Sequence, residues 1–130
     1  MTDSQIITIR SEFDVITARM KVREMARTKS FDITDQARIS LATSSLAETL
    51  GLGRKHQGQI KIEALETGKQ TGIQVTCAIA AGAHPDLTLE GLRNTEWLVD
   101  KLTIETLPSN ELQVTIVHWA TQRRGGYVRN

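Results

Sequence analysis

The β-branched run in residues 5–10 predicts a short strand. In residues 12–28 Phe13, Ile16 and Met20 recur at helical intervals, joined by Val15, Val22 and Met25, with Arg19, Lys21, Arg23 and Arg27 interspersed, which predicts a helix. A second helix starts at Asp32, an N-cap residue followed three positions later by Asp35 near the positive end of the helix dipole. Its stripe of Ile39, Ala42, Leu46 and Leu50 must pack on something, whereas Arg38, Ser40, Ser44, Ser45, Glu48 and Thr49 keep the remaining surface polar and small. Gly51 and Gly53 end it and open a loop.

Beyond that loop, residues 59–65 alternate with period two, and residues 66–70 turn them into a partner strand at 72–80. Pro85 and the glycine-alanine run mark a loop, and residues 89–101, carrying Leu92, Trp97, Leu98 and Val99, read as a third helix. Residues 103–107 and 112–119, joined by Pro108-Ser109-Asn110-Glu111, form a last hairpin. The order predicts an α/β (α+β) two-layer sandwich: a mixed, largely antiparallel sheet of about five strands with three helices on one face.

At 130 residues the chain is expected to be one domain, residues 1–120, with a polar flexible tail at 121–130. Sixteen basic against fifteen acidic residues leave a net charge of +1, so no global field draws it to nucleic acid or to an anionic membrane. The polar, acidic start Met1-Thr2-Asp3-Ser4-Gln5 and the lack of a long apolar run point to a cytoplasmic protein. Cys77 alternates with Ile73, Val75 and Ile79 on an expected buried strand face and reads as a packed core thiol. His56, His84 and His118 lack metal-ligand spacing, so no metal site is expected.

Asp35-Gln36-Ala37-Arg38-Ile39 and Ser44-Ser45-Leu46-Ala47-Glu48-Thr49 fall without a gap on the first conserved helix of a known family. The chain resembles the small bacterial switch kinases and anti-sigma-factor serine-protein kinases of the GHKL (Bergerat-fold, histidine-kinase-like) ATPase superfamily. The likeness extends to residues 7–12, 18–24, 72–77, 97–102 and the strand ending His118-Trp119. It implies the Bergerat fold and a place in stress-response signalling.

The resemblance also implies where an ATP site would lie. The family's helix glutamate, a general base or polariser, corresponds to Ser45, and the Mg²⁺-holding asparagine one turn on corresponds to Thr49. A serine is no base near neutral pH, and threonine replaces an amide ligand poorly. Glu48, the available substitute carboxylate, lies roughly 100° around the helix from Thr49. The adenine-reading aspartate of the next motif falls on Ile79, within Ile79-Ala80-Ala81-Gly82-Ala83, and the glycine-rich lid is reduced to Gly91. The vacated pocket is expected to be lined by Ala42, Ser45, Thr49, Ile79 and Ala81.

The resemblance therefore implies a pseudokinase-like, protein-binding regulator of partner switching that uses no cofactor. Its partner would be an antagonist domain, a sigma factor or a PP2C-type phosphatase, and a homodimer is compatible with it. The alternative is an active serine/threonine protein kinase using ATP and Mg²⁺ through Ser45, Thr49, Ile79 and Gly82. A third reading is a domain related to the front of a longer signalling phosphatase. In the family this edge of the fold docks the partner, which makes Arg19, Arg23 and Arg27, at i, i+4 and i+8, the candidate protein-binding ridge. Glu12, Asp14 and Glu24 leave an ordinary solvated face as the competing reading. The loop at 51–58 could offer backbone amides and Arg54, Lys55 and His56 to phosphate, or serve as a turn.

Overall fold

In the computed structural model, which describes residues 3–79 and 89–121, a five-stranded sheet carries the helices on one side. The elements run β1 (Ser4–Ile9), α1 (Glu12–Thr28), α2 (Ile33–Leu50), β2 (Gly58–Thr67), β3 (Gln70–Ile79), α3 (Leu89–Glu96), β4 (Lys101–Thr106) and β5 (Leu112–Trp119). The strand order is β1-β2-β3-β5-β4, and every pairing is antiparallel. The expectations placed on residues 80–88, including Gly82, His84 and Pro85, and on the tail at 122–130 lie outside the described residues.

Local chemistry sets the helix ends. Asp14 accepts hydrogen bonds from the N–H groups of Arg10 and Ser11 at 2.8 and 3.1 Å, closing the first turn of α1. Asp32 caps α2 by accepting from the Asp35 N–H at 2.8 Å, and Gly51 ends it in the left-handed region at φ 71°. The core lies between helices and sheet: Ile39, Ala42, Leu46 and Leu50 of α2 join Ile60, Ile62, Ile73, Val75, Cys77, Val114 and Ile116.

Two elements differ from expectation. In α1 the buried side chains are Ala18, Val22, Met25 and Ala26, while Phe13, Ile16 and Met20 are 79%, 54% and 66% exposed. The helix is apolar on two nearly opposite faces, and the smaller side chains allow the close approach to α2. The third helix stops at Glu96 instead of reaching Lys101, because the Asp100 N–H donates to the Val117 carbonyl and its carboxylate accepts from the Trp119 N–H. Those bonds draw the chain into the sheet edge before β4.

Candidate functional site

Two of the positions that the resemblance singles out, Ser45 and Thr49, sit on α2 with their hydroxyls engaged by neighbours. Ser45 Oγ lies 2.8 Å from Thr95 Oγ1, and the fully buried Thr95 also donates to the Gly91 carbonyl at 3.2 Å. The α3 helix is thereby seated across α2 at Ser45. One turn on, the Thr49 hydroxyl donates to the Ser45 carbonyl at 3.0 Å, a local bond that turns it along the helix. Glu48 is exposed on a different face of α2.

Of the residues expected to line the vacated pocket, two are closed off from solvent. Ala42 is fully buried and Ile79 is 1% exposed, and Ile79 pairs with Gly58 and Leu112 in the sheet. Both belong to the core because they fill the space between α2 and the central strands; Ala81 and Gly82 lie outside the described residues. Among the described residues no group of three His, Cys, Asp or Glu side chains is placed to hold a metal ion. Among the described residues, Ser45, Thr49 and Ile79 supply neither a carboxylate nor an amide that could hold Mg-ATP at the positions the resemblance implies.

The loop after α2 serves turn geometry. The Gly53 N–H donates to the His56 carbonyl, those of Arg54, Lys55 and His56 donate to the Gly51 carbonyl, and that of Leu52 to the Ala47 carbonyl. Amides engaged in this way are not turned toward a phosphate. Arg54 pairs instead with Glu12 at 3.6 Å.

The ridge on α1 divides. Arg19 Nε donates to Ser40 Oγ at 3.3 Å, tying α1 to α2. Arg23 and Arg27 are exposed and line a shallow depression with Met20, Glu24 and Gln36, on the face that also displays Phe13 and Ile16.

A buried polar cluster escaped the sequence reading. His118 Nε2 lies 2.9 Å from Asp35 Oδ1, and Asp35 Oδ2 accepts the Thr121 N–H at 2.8 Å. Burial works to raise the Asp35 carboxyl, but the bonds from Thr121 and His118 outweigh it and hold the group below its ordinary value. On the other side of the ring, His118 Nδ1 lies 3.3 Å from Asp100 Oδ2. The cluster locks β5 to the start of α2, and nothing in the sequence flags residues 83 positions apart as neighbours. Cys77 is fully buried, and burial pushes its thiol up to about 12, so it is a core side chain and not a nucleophile.

No family model matches the chain. It is 26% identical over 132 residues to the serine/threonine-protein kinase RsbT of Bacillus subtilis, across 92% of this chain and 98% of RsbT. Among solved structures, that of the RsbU and RsbW domains of Rv1364c from Mycobacterium tuberculosis matches with a TM-score of 0.65 at 20% identity, covering 94% of this chain. This chain corresponds to 34% of that longer one. The five antiparallel strands and three helices are thus a switch-kinase and anti-sigma-factor-like GHKL fold. None of the described helices is long and apolar enough to cross a membrane.

Proposed function

We propose that this switch-kinase-like GHKL chain is a protein-binding regulator of a partner-switching pathway, one that engages its partner without turning over ATP. The observation that carries this reading is the 2.8 Å contact between Ser45 and Thr95, which fills the position of the base with a neutral hydroxyl pair under α3. Phosphoryl transfer relies on charge neutralisation by Mg²⁺ and on a positioned nucleophile, and neither Ser45 nor Thr49 supplies a group for it. Arg23 and Arg27, beside the exposed Phe13, Ile16 and Met20, offer a partner surface on α1, with Arg19 braced behind them on Ser40. The partner class is an antagonist domain, a sigma factor or a PP2C-type phosphatase.

A second reading is favoured by one observation, the 26% identity over 98% of a protein named a serine/threonine-protein kinase. It makes the chain an active kinase that uses ATP and Mg²⁺, with Glu48 replacing the base. Incubation of the purified chain and an antagonist domain with γ-labelled ATP separates the two. The regulator reading expects no label on the antagonist. Label that disappears on Ser45→Ala or Glu48→Ala establishes the kinase.

A further inference from the structure

Away from the nucleotide positions, α2 and the end of α3 enclose a groove of about 700 Å³ lined by Ile33, Thr34, Ala37, Arg38, Leu41, Trp97 and Leu98. Ile33, Leu41 and Trp97 are 74%, 44% and 81% exposed, and such a concentration of large apolar side chains marks an interaction site. Ile33, Ala37 and Leu41 follow one another at i, i+4 and i+8, giving a straight apolar wall about 12 Å long. Arg38 stands in the same wall. Its guanidinium donates to the Trp97 carbonyl at 3.4 Å and has no carboxylate partner among the described residues.

Resting on the reading of the chain as a protein-binding regulator, we propose that this groove docks an amphipathic helix of a partner protein, its apolar stripe on Ile33, Leu41 and Trp97 and a carboxylate on Arg38. A two-turn apolar wall matches the anchor spacing of helix-in-groove recognition. Charge favours an acidic partner over a second copy of the chain as occupant. The other exposed apolar stripe, Phe13, Ile16 and Met20, carries Arg19, Arg23 and Arg27 beside Glu12, Asp14 and Glu24, a mixed face that offers Arg38 no net negative charge. An acidic partner supplies the counter-charge that no described residue gives Arg38.

Trp97 reports on its own burial, since covering an exposed indole shifts its emission to the blue. The purified chain is titrated with two synthetic helical peptides that share one leucine stripe, one flanked by glutamates and the other by lysines, and with anionic phospholipid vesicles. The acidic peptide is expected to shift the emission and to bind at least about tenfold more tightly than its basic twin. Arg38→Glu reverses that order, and Trp97→Phe removes the shift; circular dichroism confirms that both variants fold. Equal binding of the two peptides, a shift with vesicles alone, or self-association abolished by Leu41→Lys overturns the proposal. None of these outcomes touches ATP, so loss of the groove and loss of the no-turnover reading are separately visible.

Discussion

Ser45 and Thr95, fifty positions apart, meet hydroxyl to hydroxyl at 2.8 Å and pin α3 onto α2. The pair is self-sufficient: each oxygen can donate and accept, Thr95 also reaches the Gly91 carbonyl, and no charge is needed. The position that the resemblance aligns with a catalytic residue takes part in the packing between two helices.

Replacing either hydroxyl loosens that seat. Thr95→Val keeps the volume and removes the bond, leaving Ser45 partly buried without its partner, at a cost of about 1 kcal/mol. Ser45→Glu forces a longer charged chain against the buried Thr95 and costs about 1–3 kcal/mol. Urea denaturation measures both. Unchanged midpoints would show that α3 is held by other contacts.

Stability depends on pH through Asp35. Its folded-state pKa lies below the unfolded value, so its contribution is complete above the ordinary aspartate pKa of about 3.9 and fades as pH falls through the folded value. Asp35→Asn replaces the carboxylate that faces His118 and accepts from the Thr121 N–H, and is expected to cost about 1–3 kcal/mol at neutral pH and to flatten this acid limb. Thermal melts of both proteins across the acid range provide the test. Parallel curves would remove Asp35 from the account.

The Cys77 thiol is expected to stay unreactive while the chain is folded. At pH 8 a group pushed up to about 12 has a thiolate fraction on the order of one in ten thousand, and burial bars reagents as well. A disulfide reagent should therefore modify it at the rate of unfolding, and label within seconds in native buffer would contradict the burial.

Two glycines with positive φ predict unequal costs. At Gly53, φ is 83° and a Cβ would lie 2.7 Å from the Ser11 carbonyl oxygen, so Gly53→Ala combines strain with a backbone clash and costs above about 2 kcal/mol. Gly68, at φ 44°, has nothing within 4 Å of its Cβ position, so Gly68→Ala carries backbone strain alone, about 1 kcal/mol. Denaturant midpoints rank them, and the reverse order would refute the contact between the α2–β2 loop and the start of α1.

Much of the fold was legible because it is local. The Asp32 cap, the Gly51 stop, the Ile39–Leu46–Leu50 stripe and the alternation in β2 and β3 each follow from neighbouring residues. The helical period alone could not choose between the two apolar faces of α1. Packing against α2 chose Ala18, Val22 and Ala26 over Phe13, Ile16 and Met20. The end of α3 depended on bonds from Asp100 to β5, and the Asp35–His118 and Ser45–Thr95 pairs close over long stretches of chain. Ser45 and Thr49 were recognisable as departures from a motif, but the contact of Ser45 with Thr95 appears only when α3 is in place.

Whether the chain engages nucleotide is decided by isothermal titration of the purified protein with Mg-ATP. No binding heat is expected, because neutral hydroxyls at Ser45 and Thr49, already hydrogen-bonded within the protein, and a buried Ile79 offer the nucleotide no charged contact. Saturable binding with a micromolar Kd would contradict it.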